Sequence, residues 1–495
     1  MKYFLSTLFC IAIAFVANAQ LQIGSNFLAS RNDEYLGVSS DLNTKGDVFV
    51  IGTPNNNDSC GACGSIKVFQ RQANTWLPLG QVVYGSPFDF FGYKVDLNAQ
   101  GNVLAVSSST AQSFLGIARV YELINNQWIQ KGSDFTPSGN DYLLGADIEL
   151  SADGNTVVIG VPQGRVNATT GSRGRVYIYE WVNNSWSLKG SPILGGRNTD
   201  NIGQAVSISA DGNVVAVGAP TANVGSLSYA GKAAVYVWNG TAWVIKGNPF
   251  IGLDNYHQLG IDVHLSGDGN VFALGNNVPI NNTQISNKIQ VFTYDSVNAV
   301  WQQRGSDILP ENFGDGWGKS FELSYDGTVL VGGAENNAGT AFNSGHMRVF
   351  EYNSNNWHQR GYDIDGTQRG RFGHEVAIDS LGETISGASS FDTNHPSYAQ
   401  VWDVSFLVSI PQSESNHASK INIFPNPFHN QFTIEANSTI LSYQLYDING
   451  RLIQLEENPS GTSRILNTLS LPNGIYFLQL QLENQQISSH KLIKN

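Results

Sequence analysis

Acidic side chains recur at fixed distances behind a repeated glycine. Seven such glycines follow one another at intervals of 53 to 58 residues, namely Gly37, Gly92, Gly145, Gly203, Gly260, Gly318 and Gly373. Four residues after them stand Asp41, Asp96, Glu149, Ser207, His264, Glu322 and Ala377. Two residues after them stand Ser39, Lys94, Asp147, Ala205, Asp262, Ser320 and Glu375. Because side chains two residues apart on a strand share a face, the two columns predict one polar surface.

Three kinds of chemistry are open to that surface. Its carboxylates, above all Asp41, Asp96, Glu149 and Glu322, are candidate ligands for a cation. A pair at suitable separation could act in hydrolysis. The plainer alternative is a wet channel in which the carboxylates accept hydrogen bonds from neighbouring backbone amides. We predict no catalytic residue, because the histidines are scattered and no Ser-His-Asp arrangement stands out.

Outside the first nineteen residues the chain has two cysteines, in the motif Cys60-Gly61-Ala62-Cys63. In a reducing compartment this spacing would indicate redox chemistry or half of a zinc site. We predict a loop disulfide instead, because residues 1–19 read as a signal peptide, which implies oxidising surroundings, and no second cysteine pair follows. Free thiols and a metal or redox role are the alternatives.

Each glycine opens a unit that contains four strand signals. In the fourth unit, residues 206–208 alternate and end at Ala210-Asp211-Gly212-Asn213, which is typical of a tight hairpin. The second strand covers residues 214–217, the third covers 234–238, and the fourth begins at Trp243. Seven units of four short antiparallel strands predict a seven-bladed β-propeller.

Two further features indicate how the predicted propeller is held together. Six tryptophans, each followed four residues later by glycine, are expected to pack between neighbouring sheets: Trp76, Trp128, Trp186, Trp243, Trp301 and Trp357. The seventh unit stops after its third strand, at Trp402. Residues 23–27, Ile-Gly-Ser-Asn-Phe, match residues 131–135, Lys-Gly-Ser-Asp-Phe. We therefore predict that the N-terminal strand completes the last blade and closes the ring.

The units resemble the FG-GAP-like repeats of integrin-type propellers over about residues 20–404. The matching residues include Phe91-Gly92, Phe372-Gly373, Gly218-Ala219-Pro220 and Gly231-Lys232-Ala233-Ala234-Val235-Tyr236. Such repeats often carry an Asp-x-Asp-x-Asp-Gly calcium loop, whereas the turns here read Ser-Ala-Asp-Gly or similar. One carboxylate cannot supply the ~6–8 oxygens that calcium takes, so we predict no calcium and no other cofactor.

The second–third strand loops are long and irregular, at residues 55–64, 163–174, 221–231 and 336–345. The first–second and third–fourth turns, on the opposite face, are short. Binding sites commonly occupy variable loops on a rigid scaffold, so a ligand is expected on the long-loop face. The alternative is that these loops only vary in length.

A separate β-sandwich is predicted for residues 421–495, after a polar linker at residues 405–420. Its motifs are Pro425-Asn426-Pro427, Tyr446-Asp447-x-x-Gly450-Arg451, Leu471-Pro472-x-Gly474-x-Tyr476 and Lys491-Leu492-Ile493-Lys494. In order and spacing they resemble the type A C-terminal sorting domain of the type IX secretion system of Gram-negative bacteria. The resemblance implies recognition by that machinery at the outer membrane, then release or surface attachment of the propeller.

Export is also predicted at the other end of the chain. Residues 1–19 read as a signal peptide, with cleavage between Ala19 and Gln20, and no later run is apolar enough to span a membrane. The formal net charge is −13, and charged residues make up 14% of the chain. An acidic surface argues against nucleic acid as a partner, because phosphate binding requires clustered Lys and Arg.

These observations predict a secreted or cell-surface, non-enzymatic adhesion protein that binds a glycan, protein or surface. The alternatives are an extracellular hydrolase or lyase at the channel mouth and a structural component of the cell envelope. An enzyme should show carboxylates with separated pKa values in a pocket, whereas a binding protein should show exposed aromatic or apolar groups on the loop face.

Overall fold

A computed structural model of the chain is all-β. It describes residues 20–31, 33–139, 141–165, 171–277, 287–366, 370–389, 396–405, 421–425, 428–436, 439–447, 452–457, 461–468, 471–483 and 487–494. The predicted signal peptide, residues 1–19, therefore lies outside the described residues. Residues 406–420 of the predicted linker also lie outside them. One compact unit spans residues 21–405, and the C-terminal strands belong to another. No helix among the described residues has the length and apolar character needed to cross a bilayer.

The described part of residues 21–405 contains seven antiparallel sheets, numbered here in chain order. The first two strands of the chain are β1 (Leu21–Gln22) and β2 (Phe27–Leu28). Sheet 1 has β3 (Ser40–Leu42), β4 (Val48–Thr53), β5 (Ser65–Gln72), β6 (Thr75–Pro78) and β7 (Val83–Tyr84). Sheet 2 has β8 (Lys94–Leu97), β9 (Val103–Ser108), β10 (Ile117–Ile124) and β11 (Gln127–Gln130), with the short helical turn α1 (Ala111–Phe114) in between.

The next three sheets repeat this order. Sheet 3 has β12 (Ile148–Leu150), β13 (Thr156–Val161), β14 (Arg175–Val182), β15 (Ser185–Leu188) and β16 (Ile193–Leu194). Sheet 4 has β17 (Ala205–Ile208), β18 (Val214–Ala219), β19 (Lys232–Trp238), β20 (Trp243–Ile245) and β21 (Phe250–Ile251). Sheet 5 has β22 (Val263–Leu265), β23 (Val271–Gly275), β24 (Ile289–Asp295) and β25 (Val300–Gln303).

The last two sheets of this unit differ in how they end. Sheet 6 has β26 (Phe321–Leu323), β27 (Val329–Ala334), β28 (His346–Asn353), β29 (Asn356–Gln359) and β30 (Ile364–Asp365). Sheet 7 has three strands of its own, β31 (Phe372–Ile378), β32 (Thr384–Ser389) and β33 (Tyr398–Asp403). Its outer positions are taken by β1 and β2, which both pair antiparallel with β33, Leu21 opposite Asp403 and Phe27 opposite Ala399.

The first strands of the sheets are neighbours in the order β3, β8, β12, β17, β22, β26 and β31, and β31 is again a neighbour of β3. Apolar cores lie between consecutive sheets. One of them joins sheet 7 to sheet 1, with Ala388 and Val401 of sheet 7 beside Phe49 and Ile51 of sheet 1. Backbone contact at this junction comes from Ser380, whose N–H donates to the carbonyl of Thr44 at 3.1 Å.

Each of sheets 1 to 6 is linked to the preceding sheet by one of the six tryptophans. Every indole N–H donates, at 2.7 to 3.1 Å, to a carbonyl directly before a glycine: Trp76 to Ile23, Trp128 to Leu79, Trp186 to Lys131, Trp243 to Lys189, Trp301 to Lys246 and Trp357 to Arg304. Ile23 takes the place that Lys131 holds in sheet 2, as the sequence match predicts. The tryptophans also join the apolar cores between sheets, which confirms their packing role.

The Ser-x-Asp-Gly turns are held by their own side chains. In sheet 3, Ser151 Oγ donates to Asp153 Oδ1 at 2.7 Å, and the Asn155 N–H donates to the same oxygen at 2.9 Å. Gly154 has a φ of +67°, and a Cβ there would lie 2.7 Å from Val103 of sheet 2. The sequence therefore requires glycine both for the left-handed turn and for the close approach of the two sheets.

The C-terminal unit is a β-sandwich of two sheets. The first contains β34 (Ile421–Phe424), β35 (Gln431–Ala436) and β38 (Ser463–Asn467). The second contains β36 (Ile440–Asp447), β37 (Leu452–Glu457), β39 (Gly474–Leu482) and β40 (Ile487–Lys494). Phe432 and Ile434 of the first sheet share a buried core with Leu445 and Leu478 of the second.

Candidate functional site

An inner cavity of about 360 Å³ lies between the first strands of the seven sheets. Most residues of both predicted polar columns line it, including Asp41, Asp96, Glu149 and Glu322. A third column, one residue after each glycine, lines it as well: Val38, Tyr93, Ala146, Gln204, Ile261, Lys319 and His374. The sequence-based prediction missed this column, although the same glycine register would have revealed it.

Most polar side chains of the two predicted columns accept a hydrogen bond from a backbone N–H of the next sheet. The bonds measure 2.7 to 3.1 Å and run from Leu97 to Asp41, Leu150 to Asp96, Val206 to Asp147, Ile208 to Glu149, Phe321 to Asp262, Ile378 to Glu322, Val95 to Ser39, Leu265 to Ser207 and Val376 to Ser320. These first-strand amides have no neighbouring strand to bond to on that side. The side chains of the preceding sheet supply their hydrogen-bond acceptors instead. The arrangement corresponds to the plainer of the alternatives read from the sequence.

Three aspartates accept a second amide bond, each where the preceding sheet offers no acceptor. Ile148 lies opposite Lys94, whose side chain has no acceptor atom. Its N–H therefore donates to Oδ1 of Asp147 at 3.0 Å. Likewise Val263, opposite Ala205, donates to Asp262, and Leu42, opposite Ala377, donates to Asp41. These three aspartates therefore compensate for non-accepting residues in the neighbouring sheet.

The four channel carboxylates proposed as cation ligands from the sequence do not converge on a common point. Among the described residues, no three channel carboxylates bring oxygen atoms within 4.8 Å of one another. The cause is geometric, because Asp41, Asp96, Glu149 and Glu322 each reach towards the next sheet. A metal site made of these four is therefore not supported by the structure.

The cavity raises the proton affinity of its acids. Burial raises the pKa of Asp96, Glu149 and Glu322 well above the usual carboxyl range, with neighbouring carboxylates adding to the effect. Burial likewise raises the pKa of Asp41 and of Asp262 to about 7, although amide bonds oppose the change. The charged forms are disfavoured because the surrounding sheets exclude most of the water that would solvate them.

The cavity shifts the pKa values of Lys94 and His264 in opposite directions. Burial opposes the charge of Lys94, yet the carboxylates of Glu375, Asp147 and Asp262 raise its pKa above the usual value. Its Nζ lies 3.3 Å from Oε1 of Glu375, so this ion pair spans sheets 2 and 7. Burial lowers the pKa of His264 to about 4, and the imidazole is therefore neutral at physiological pH.

A cluster of charges at one end of the cavity was not predicted. Glu335 follows the second strand of sheet 6, and its carboxylate lies 2.8 Å from His374 Nδ1 and 2.9 Å from Lys319 Nζ. Burial alone would raise the pKa of Glu335, but the hydrogen bond and charge of His374, together with Lys319, lower it to about 2. Glu335 therefore stays ionised and paired with basic groups at the end that the long loops surround.

The predicted Cys60–Cys63 disulfide is not formed, and both cysteines are free thiols in the structure. Sγ of Cys63 lies 2.8 Å from the carbonyl oxygen of Cys60, and Sγ of Cys60 lies 3.9 Å from that of Gly85. The neighbouring Cys63 thiol, with a contribution from burial, raises the pKa of Cys60 to about 11, so the thiolate is disfavoured.

The residues assigned to the sorting signal divide into three groups. Asn426, Pro427 and Gly450 lie outside the described residues, and Pro425 follows β34. Gly474 opens β39, and Lys491 lies in β40. Tyr476 and Lys494 are buried. The Tyr476 hydroxyl donates to the Pro472 carbonyl at 2.7 Å, and Lys494 Nζ donates to the Thr468 and Leu471 carbonyls at 2.6 and 2.8 Å. These two side chains hold the module together from inside.

Solved structures similar to this chain include three with TM-scores below 0.5. A putative 6-phosphogluconolactonase from Bacteroides uniformis shares 13% identity, with 66% of this chain and 85% of that chain covered and a TM-score of 0.45. A second putative 6-phosphogluconolactonase, from Bacteroides fragilis, shares 11% identity, with 66% of this chain and 84% of that chain covered and a TM-score of 0.44. The β-propeller domain of the Trilobed protease from Pyrococcus furiosus shares 10% identity, with 74% of this chain and 95% of that chain covered and a TM-score of 0.44. No curated protein matches the sequence significantly.

The C-terminal module carries the identification. Residues 422–495 match the family model described as the secretion system C-terminal sorting domain. The chain is therefore an all-β substrate of type IX secretion, exported to the cell surface or beyond it, and its sorting domain engages that machinery.

Proposed function

We propose that the seven sheets are the blades of a closed, seven-bladed, FG-GAP-like propeller that binds an extracellular glycan or protein through its long-loop face. Closure is supported by the pairing of β1 and β2 with β33, by the core that joins sheets 7 and 1, and by the Trp76–Ile23 hydrogen bond. The proposed ligand site is supported by the distribution of exposed aromatic side chains.

The long-loop face comprises the second–third strand loops and the links between sheets. Parallel bridges such as Gly64–Phe91 and Gly231–Leu259 hold the two kinds of segment together. The exposed aromatic side chains of these loops and links are Phe88, Tyr93, Phe114, Tyr142, Tyr229, Tyr256, Phe313 and Phe342, and Tyr84 is exposed in β7 between them. On the opposite, short-turn face of the described residues the exposed aromatic is Tyr325. Exposed aromatic groups concentrated on one face are typical of a binding surface.

Tyr229 and Tyr256 form a stacked aromatic pair on this surface. Their rings stack with centroids 5.6 Å apart and an interplanar angle of 10°. They lie in the loop of sheet 4 and in the following link, and they are 45% and 50% exposed. Both have positive φ, +51° and +59°, an uncommon conformation for bulky residues. Strained exposed aromatic groups are frequent at ligand-binding sites, so we place the ligand contact here.

Replacement of both tyrosines tests this proposal. We expect Tyr229→Ala/Tyr256→Ala in the mature chain to lose at least about tenfold in affinity for its ligand on a glycan and extracellular-protein array, because hot-spot aromatic groups contribute about 2 kcal/mol or more. Tyr325→Ala is the matched control, since it removes an equally exposed tyrosine from the short-turn face. Unchanged binding by the double variant, or equal loss in Tyr325→Ala, would refute the assignment.

Export gives a second prediction. Removal of residues 421–495 should leave the protein in the periplasm, because the domain that the secretion machinery recognises is lost. Cell fractionation with surface proteolysis measures the outcome. Periplasmic protein with an undiminished thermal transition excludes misfolding as the cause, whereas surface display of the truncated chain would contradict the sorting role.

One observation favours a second candidate, an extracellular hydrolase or lyase at the cavity mouth. The pKa of Glu335 is lowered to about 2, and that of Asp262 is raised to about 7, a separation typical of acid–base pairs. Asp262, however, already accepts amide bonds at both oxygens. Release of soluble products from an array-positive glycan or peptide, abolished in Glu335→Gln, would favour this candidate over binding alone.

A further inference from the structure

Sheet 6 contains a group of side chains that the polar columns and the proposed ligand surface do not use. His346 is the first residue of β28, Glu311 lies in the link before β26, and Asp363 lies between β29 and β30. His346 Nδ1 is 3.8 Å from Glu311 Oε2 and 3.7 Å from Asp363 Oδ2. One nitrogen and two carboxylate oxygens therefore lie within 4.8 Å of one another.

The imidazole at the centre of this group has no hydrogen-bond partner among the described residues. His346 is fully buried, with 0% of its surface exposed. Neither Nδ1 nor Nε2 makes a hydrogen bond within the described part of the chain. A buried polar group without a partner costs about 1–3 kcal/mol, and a ligand bound to the imidazole would remove this cost.

The equivalent position holds a paired cation in three other sheets, whereas sheets 1, 2 and 7 have Ser65, Ile117 and Tyr398 there. The residue that starts the third strand, or directly precedes it, is Arg175 in sheet 3, Lys232 in sheet 4 and Lys288 in sheet 5. Each pairs with a carboxylate, at 3.1, 2.6 and 2.6 Å respectively. Sheet 6 keeps carboxylates but supplies an imidazole, which forms no hydrogen bond to them at the 3.7–3.8 Å separations. Glu311 and Asp363 are instead hydrogen-bonded to each other. At this position of the third strand, sheet 6 therefore supplies no fixed cation to its carboxylates.

We propose that Glu311, His346 and Asp363 bind a divalent first-row transition metal ion such as Zn²⁺. Ligands about 2.0–2.2 Å from a tetrahedral zinc lie roughly 3.4 Å apart, close to the observed separations. The imidazole nitrogen selects against Ca²⁺ and Mg²⁺, which take oxygen ligands. The side chains of Glu311 and Asp363 are 39% and 25% exposed, so the ion keeps an open position towards solvent.

Surrounding groups are consistent with this assignment. Asp363 Oδ1 accepts a hydrogen bond from Gln359 at 2.7 Å, which directs the other oxygen at His346. Burial and the adjacent Asp363 raise the pKa of Glu311 to about 7, and burial lowers that of His346 to about 4. A metal ion would relieve the crowding of the acids and use the neutral imidazole.

Arg348 is a competing cation beside the group. It occupies the position of Arg119 in sheet 2, which forms an ion pair with Asp134 at 3.0 Å. Arg348 instead donates to the Leu309 carbonyl at 2.8 Å and stacks on Trp317, with its Cζ 4.3 Å from the ring centroid. Among the described residues it forms no ion pair with Glu311 or Asp363 within 4.0 Å, and both carboxylates are left available.

Zinc binding by the tag-free mature chain tests the proposal. After chelator treatment, calorimetric titration with ZnCl₂ should give one site per chain. Glu311→Gln and Asp363→Asn should each weaken it at least about tenfold, since even indirect supports of a metal ligand cost 10–100-fold. Asp307→Asn, the corresponding residue of sheet 5, is the matched control and should bind normally.

A second measurement tests His346, the buried member of the proposed metal site. Co²⁺ in place of Zn²⁺ should give visible absorption bands that shift or vanish in His346→Gln, even if that variant is less stable. Absence of zinc binding by the wild-type chain, or one-to-one binding that survives in Glu311→Gln and Asp363→Asn alike, overturns the assignment. In that case Arg348 would be the cation that balances the two acids.

Discussion

Alanine at Gly80 should lower the free energy of unfolding by about 2–5 kcal/mol. Gly80 has a φ of +76°, which costs an L-residue about 1–2 kcal/mol. A Cβ there would lie 2.7 Å from Cδ1 of Trp128, which is 3% exposed and cannot move aside. Overpacking adds about 1–3 kcal/mol. Urea unfolding of the mature chain, followed by tryptophan fluorescence, measures the loss.

Gly139→Ala separates the two contributions. Gly139 also has positive φ, +62°, but a Cβ there would meet no atom within 4 Å. The control should therefore lose only the backbone cost of about 1–2 kcal/mol. Equal destabilisation by the two alanines would show that the tryptophan–glycine contact between sheets 1 and 2 adds nothing to stability.

Asp96→Asn should stabilise the protein at alkaline pH, because it removes the carboxylate charge of Asp96 from the inner cavity. Because burial raises the pKa of Asp96 well above its value in the unfolded chain, the folded state binds the extra proton. The resulting stability is complete below about pH 4, the unfolded pKa, and is lost as pH rises through the folded pKa. Asparagine keeps an oxygen for the Leu150 amide without the buried charge.

The effect is best measured between pH 6.5 and 8.5, above the titration of His264 and Glu335, whose lowered pKa values act in the opposite direction. At pH 8.5 we expect a gain of about 1–2 kcal/mol, since one pKa unit is worth about 1.4 kcal/mol and cavity water screens part of it. Below about pH 4, where the carboxyl is protonated in the unfolded chain as well, the variant and the wild type should be equally stable.

Asp153→Asn supplies a control of opposite sign. Its hydrogen bonds from Ser151 and Asn155 outweigh burial and lower the pKa of Asp153, so the charged form stabilises the turn above the unfolded pKa. This variant should be less stable at pH 8.5. If Asp96→Asn were destabilising at every pH, the carboxylate itself, rather than an uncharged acceptor, would be what the cavity requires.

The sequence predicted the strands of this protein well because the repeat gave independent views of one unit. The glycine register placed the polar columns on the first strands, and the tryptophan register placed the contacts between sheets. The match of residues 23–27 with 131–135 anticipated the carbonyl of Ile23 as the acceptor for Trp76. The disulfide was wrong because spacing alone does not fix the direction of two thiols in a loop.

What the sequence determined by itself is therefore the repeating unit, the sheet order and the destination of the chain, because each depends on local pattern or on a contiguous motif such as residues 422–495. Tertiary structure decided what the acids do. Whether Asp96 faces a cation or the Leu150 amide depends on the register between two sheets, which no local pattern encodes. The same holds for His346, whose carboxylate neighbours Glu311 and Asp363 come from separate links and meet it only when sheet 6 is folded.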